Sequence, residues 1–427
     1  MLTNDNKIHN SLANSRPLLI VVLLISLSCL SFLIYQTDNQ KREVKEDLIE
    51  LSNIKYGLFN VDEWKKILTN IIAKKIEEFE VNVKNKEQLE SKISNFLYKV
   101  VNEFEDRNRE KNSGSIGGIL ENFGASVFDV YGKIRQDFPI ITEQILDFMN
   151  DPKNKKALKS YLTSKLNEYA DNTFAKLDYS IHDSIINKYK LADRSSTITS
   201  LDIKLDELQQ TSNKYKYVLV LLAILAATFI LFTKAISKTE FILLTSVCFL
   251  FLVLGLTLPM IEIDARVSGI KISLLGEQIN FQDQVLYYKS KSNLEVVRLM
   301  ITQGSFDLLL VGFLVFIFSV LFPISKLVSS ICLISSPDLK SNKIIYFLVN
   351  KTGKWSMADV MVVAIFMSYI GFSGILTEQL HQLENLSSKI DVLTTNKSSL
   401  QIGFFAFTSF ALLSLLTTNK LKSDLAN

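Results

Sequence analysis

Cysteine and histidine are scarce in this 427-residue chain. Its three cysteines, Cys29, Cys248 and Cys332, lie within or beside apolar runs and form no C-x-x-C pair. That excludes a disulfide framework and a cysteine-ligated zinc site, and casts all three as small core residues. The three histidines, His9, His182 and His381, show no H-x-x-x-H spacing. His182, next to Asp183, therefore reads as part of a solvated helix face rather than a metal ligand or a catalytic dyad. H-E-x-x-H and G-x-S-x-G are both missing, and Gly114, Gly117 and Gly118 are followed by no G-K-[ST], which makes that cluster a loop. No enzyme, catalytic residue, metal or cofactor is expected, and no nucleotide-driven energy source. Strong charge of one sign is absent too: the net charge is +3 without a basic cluster, which argues against nucleic acid as a partner.

Apolar runs are abundant. With 48% apolar residues, a mean hydropathy of +0.21 and still 21% charge, the composition fits membrane spans alternating with polar domains. Six runs approach the roughly 20 residues that a crossing needs: Pro17 to Tyr35, Tyr217 to Thr233, Phe241 to Ile261, Phe306 to Ile324, Met357 to Leu376 and Gln401 to Thr418. The first is too long for a secretory signal and has no small-x-small site after it, so it is expected to stay as an anchor. Lys and Arg outnumber acids by more than two to one in segments 1–16, 234–240, 325–356 and 419–427, whereas loops 262–304 and 377–400 are nearly balanced. The positive-inside rule then puts both termini in the cytoplasm and residues 36–216 outside.

The expected fold is an all-α polytopic membrane protein of about six transmembrane helices, with a helical outer domain at 36–216 and a small antiparallel β element in the 259–281 loop. Its units are 1–35, 36–216, 217–240, 241–420 and a tail at 421–427. In the outer domain apolar residues recur at helical spacing (Trp64, Ile67, Ile71, Phe79; Leu89, Ile93, Phe96, Val100, Phe104; Leu201, Leu205, Leu208), and the last stripe points towards the second span. Residues 259–281 alternate Ile261, Ile263, Ala265, Val267, break at Ser268 and Gly269, and resume with Ile270 and Ile272, as in strands around a Ser-Gly turn. Ser292 or Asn293 is placed to cap the helix that follows, and Asp307 lies in the first turn of the next span.

The chemistry concentrates at two membrane entries. Pro323 removes a backbone donor inside an apolar run, and Ser325 and Lys326 follow it. The next span opens with Trp355, suited to the headgroup belt, then Ser356, Met357 and Asp359. A charge at the centre of a span costs roughly 2.5–3.5 kcal/mol on insertion scales, so such residues find partners. Lys326 leaves the membrane on the side where Asp359 enters it, which makes an ion pair between them reasonable, with Ser325 and Ser356 as further hydrogen-bond partners. In the competing reading Lys326 snorkels to the interface and Asp359 is a first-turn aspartate favoured by the helix dipole.

"FPISKL" at 322–327 and "GKWSMADVMVVA" at 353–364, with the outer loop beginning "LPM" at Leu258, resemble the paraquat-inducible protein A family over roughly residues 241–420. The resemblance implies a Gram-negative inner-membrane protein that works with periplasmic partners carrying MCE domains to move lipid between membranes. It puts Pro323, Lys326, Trp355, Met357 and Asp359 on the family pattern and the polar pair in a membrane cavity. Membrane lipid and an MCE-domain protein are the implied partners, and a second copy of the chain is left open. The chain departs from the pattern in having one four-helix module, no cysteine-rich zinc ribbon, and an added domain at 36–216. A membrane sensor or scaffold for envelope stress is the alternative function.

Overall fold

The computed structural model describes residues 2–53, 178–233, 236–274, 277–302, 305–335, 362–371 and 390–426, with isolated positions between them. The helices are α1 (Leu2–Leu51), α2 (Ser180–Tyr189), α3 (Arg194–Phe232), α4 (Lys238–Thr257), α5 (Asn293–Thr302), α6 (Phe306–Phe316), α7 (Phe322–Ser335), α8 (Val362–Gly371) and α9 (Ile402–Ala426). Five of the six expected crossings are present as helices long and apolar enough to span a bilayer, α6 and α7 forming one of them. The shorter α8 lies inside the remaining run, Met357 to Leu376. Most of the 36–216 domain, with its stripes from Trp64 to Phe104 and the Gly114–Gly118 loop, falls outside the described residues.

α1 has 50 residues, about 75 Å of helix against a hydrocarbon core of about 30 Å. Its polar half must therefore project beyond the bilayer. α3 does the same in reverse: the stripe of Leu201, Leu205 and Leu208 continues without a break into the span, in a single 39-residue helix. The projecting halves pack as a stalk around Val44, Leu48, Leu51, Ile185 and Leu201, while in the membrane Ile20, Leu27, Leu30 and Ile34 meet Leu219, Ala223 and Ala226. α4 and α9 form the centre, with 61% and 67% of their apolar windows buried against 17–22% for the other three spans. Leu309, Phe313 and Leu314 on α6 are left open to lipid.

Two glycines allow the centre to close. A Cβ on Gly255 would lie 2.7 Å from the Phe407 backbone, and one on Gly403 would run into the carbonyl of Leu258.

The sheet is larger than the sequence suggests, and its turn lies elsewhere. β1 (Pro259–Leu274) passes straight through Ser268 and Gly269 and pairs antiparallel with β2 (Glu277–Ser292) up to the pair Leu274 and Glu277. Against β3 (Ile390–Asn396) the register shifts between Val267 and Gly269, which makes the Ser-Gly break a bulge and not a turn. β4 (Ser399–Leu400) pairs with the membrane-proximal end of β1. The period-two pattern was legible, but a small residue in a strand marks a bulge as readily as a reversal.

Ser292 caps α5: its Oγ accepts from the Glu295 N–H at 3.2 Å, and Glu295 accepts from the Ser292 N–H at 3.0 Å. Asp307 lies in the first turn of α6, as expected, while the cap residue Ser305 makes no side-chain bond.

Gly255→Ala and Gly403→Ala are expected to destabilise the protein by about 1–3 kcal/mol through overpacking. Gly269→Ala, with no atom within 4 Å of the added carbon, is the control. Thermal unfolding in detergent checks this: a fall in midpoint for the first two and none for the third.

Candidate functional site

The helix that carries Lys326 is bent by its own sequence. Pro323 has no N–H to offer the carbonyl four residues back. The chain answers with a π-helical turn, Ile317–Leu321, in which the Phe322 N–H reaches back five residues to the Ile317 carbonyl. Ser319, fully buried in that turn, donates to the Val315 carbonyl at 2.6 Å. α7 then starts on a new azimuth and brings Lys326 inward.

Lys326 is 3% exposed, and its Nζ donates to Ser414 Oγ on α9 at 3.0 Å. Ser414 lies twelve residues into α9, about 18 Å along the helix from the end that carries the sheet, so the ammonium group sits at membrane depth. It does not snorkel. Ser330 donates to the Lys326 carbonyl at 2.8 Å, and Thr418 to that of Ser414 at 2.7 Å. Cys248 on α4 approaches Thr417 Oγ1 at 3.8 Å on the neighbouring turn of α9. Ser325, next to it, is half-buried, and Pro323 is buried. Trp355, Ser356, Met357 and Asp359 lie outside the described residues. The partner found here, Ser414, looks like any hydroxyl in an apolar run and gave no signal in the sequence.

His182 is not on a solvated face. Its ring is 5.2 Å from that of Tyr56 and 5.6 Å from that of Tyr179, with Nδ1 3.0 Å from Asp183 Oδ1. Tyr179, three residues before it, and Tyr56, distant in sequence, close around it and remove most of its water.

A second cluster, which sequence reasoning missed, ties α1 to the sheet. Glu262, Asp264 and Arg266 alternate along β1 and are 6%, 0% and 5% exposed, so the charged face of the strand is a buried one. Lys41 and Lys45, four apart on α1 and both 5% exposed, meet them. Lys45 Nζ is 2.7 Å from Asp264 Oδ2 and 3.4 Å from Glu262 Oε1, and Lys41 Nζ is 3.6 Å from Glu262 Oε2 and 2.9 Å from Gln401 Oε1. Arg266 grips Asp264 from the same strand through Nε at 2.9 Å and a second nitrogen at 3.1 Å. Arg42 pairs with Glu295 of the α5 cap, and the Val285 N–H donates to the Ser52 carbonyl at 2.9 Å. The signal was present in "QKREVK" beside a span and in "EIDAR", opposite charges at matching helix and strand periods. Burial would raise the Asp264 carboxyl, but Arg266 and Lys45 outweigh it and hold it below the usual range. Asp38 goes the other way. It lies three residues beyond the apolar stretch of α1, and burial pushes it up to about 6 despite Lys41 and Arg42.

Asp264→Ala and Lys45→Ala should each cost about 3–5 kcal/mol, because the partner left behind is a buried charge. Lys188→Ala, which breaks a half-exposed pair with Asp47 and Glu43, should cost under about 1 kcal/mol. Melting midpoints rank the three. Since the folded pKa of Asp38 is raised, its ionised form penalises the folded state above about pH 6, and the penalty fades as pH falls towards the unfolded value of 3.8. Stability should therefore rise as pH falls from about 6 towards 3.8, and Asp38→Asn should flatten that rise in a pH series of melting curves.

Comparison with known proteins finds no match among curated proteins or solved structures. One family model matches at residues 284–381, from the middle of β2 through α5, α6 and α7 and beyond α8. That stretch holds Pro323, Ser325 and Lys326 and is narrower than the 241–420 resemblance; α1 to α4 lie outside it. The model is that of PqiA, paraquat-inducible protein A, and this segment of a chain with several apolar membrane helices is similar to it.

Proposed function

We propose that this protein is an inner-membrane component of a lipid-trafficking system of the cell envelope, passing lipid to or from a periplasmic MCE-domain partner. The observation that carries the proposal is Lys326, buried at membrane depth beside a proline-induced π turn and hydrogen-bonded to Ser414 on a separate helix. A charge is expensive there and lines a cavity or pathway more often than a lipid face. The family match over the same residues supports the reading, and Asp359 on the next span is the proposed counter-charge. In this scheme both termini are cytoplasmic, the stalk and sheet stand in the periplasm, and no covalent chemistry is done on the lipid. Lys326 and Ser414 would hold a polar headgroup while the open apolar faces of α6 and α8 accommodate its chains.

The sensor or scaffold reading draws on the ion-pair cluster between α1 and β1, which would fasten an outer domain rigidly to the membrane core. Binding by a pure scaffold would survive replacement of Lys326 if the fold held, whereas lipid handling would not.

Photo-crosslinking in cells grown with radioactive phosphate separates the two. A probe one helical turn from Lys326 should capture labelled lipid several-fold more than one at Val328, which is 53% exposed. Lys326→Ala should abolish the excess at equal protein level. Equal labelling at both positions would leave the scaffold reading in the lead.

A further inference from the structure

At the sheet-side end of the membrane helices the carboxylates of the ion-pair cluster already have their cations: the buried Glu262 serves Lys41 and Lys45, the buried Asp264 serves Lys45 and Arg266, and the half-buried Glu295 serves Arg42. Lys216 on α3 is different. Among the described residues no carboxylate pairs with it; its Nζ donates to Asn213 Oδ1 at 3.0 Å, and the other charge that acts on it is Lys41, a cation. The ammonium group lies 5.4 Å from the centre of the Phe405 ring on α9 and 5.5 Å from that of Tyr217. Two aromatic faces and one amide oxygen hold it in place without neutralising it.

The depth of this group is set by three elements independently. Lys216 directly precedes the apolar stretch of α3, Phe405 is the fourth residue of α9, and Lys41 follows the apolar stretch of α1 by six residues. All three mark the boundary between hydrocarbon and water, where phosphate groups of lipids lie. Below Lys216 the surface turns apolar: Tyr217, Val218 and Leu221 are 70%, 43% and 54% exposed on the same helix. A soluble anion could use the charge but not this strip. A phospholipid could use both.

We propose that Lys216, with Asn213, Tyr217 and Phe405 around it and Lys41 adding its field from behind, forms a binding site for the phosphate of a membrane phospholipid in the sheet-side leaflet. Lys41 is too deeply buried for contact and acts through space. The site lies outside the 284–381 family segment and apart from Lys326, and it does not rest on the transport reading: it would hold a lipid whether or not the protein moves one.

The test is native mass spectrometry of the full-length protein titrated with phosphatidylglycerol in detergent. Lys216→Ala should weaken the tightest lipid adduct about tenfold, and Lys216→Arg should keep it. Lys214→Ala, an exposed lysine two positions away, should leave it unchanged, with melting midpoints used to confirm that each variant is folded. Equal retention by Lys216→Ala and Lys214→Ala would overturn the proposal. Loss of the adduct on adding inorganic phosphate would overturn its assignment to lipid. An adduct that survives Lys216→Ala but not Lys326→Ala would move the lipid to the membrane cavity and refute this site, while leaving the proposed function standing.

Discussion

The Lys45–Asp264 ion pair, backed by Arg266, Lys41 and Glu262, is the contact on which the arrangement of the remaining parts depends. It joins residues 219 apart in sequence and fastens the first helix to a sheet built from later segments. Such a pair adds little net stability when weighed against a well-packed apolar alternative, because taking two charges out of water is itself costly. Its value is in specificity: with each charge satisfied only in one register, α1 cannot slide or rotate against β1 without exposing an unpaired charge in a dry interface. A greasy helix in a bilayer has few other means of fixing its register, since lipid solvates any apolar face equally well.

From that fixed register the rest follows by short links. Lys41 also holds Gln401, the residue before α9, and Arg42 holds Glu295 in the cap of α5. α9 in turn carries Ser414 to Lys326, and α5 precedes the bent helix of α6 and α7. The polar cluster at the membrane surface and the buried lysine within the membrane are thus connected through α9, a helix that glycines at 255 and 403 allow to pack tightly on α4. Rigid connection of this kind suits either a lipid-handling module or an anchored scaffold. The proposal of lipid handling rests on the buried lysine, a charge that is costly at that depth.

The two polar sites differ in what they ask of the protein. Lys326 is buried and donates to a neutral hydroxyl, Ser414 Oγ, on a separate helix. The outer ion pairs are locked on both sides, and a ligand could displace none of them without leaving a buried charge behind. Lys216 lies between these extremes at the membrane boundary, fixed in position and, among the described residues, paired with no carboxylate.

The positions of five crossings, the helix irregularity beside Pro323, the Ser292 cap and the continuity of α3 from stalk into membrane were legible in the sequence. Each is a local matter: a run of apolar residues measured against the thickness of a bilayer, a ring that lacks an N–H, a hydroxyl three residues before a glutamate. Only the tertiary structure decided that the charged face of β1 is buried, that Ser268 and Gly269 form a bulge, that 390–396 supplies a third strand, and that Lys326 meets Ser414, 88 residues away. Alternation shows that a strand has two faces and leaves open which of them is covered. A lone serine or lysine in an apolar run carries no address, because its partner is chosen by the packing of helices whose order in space the local pattern does not contain.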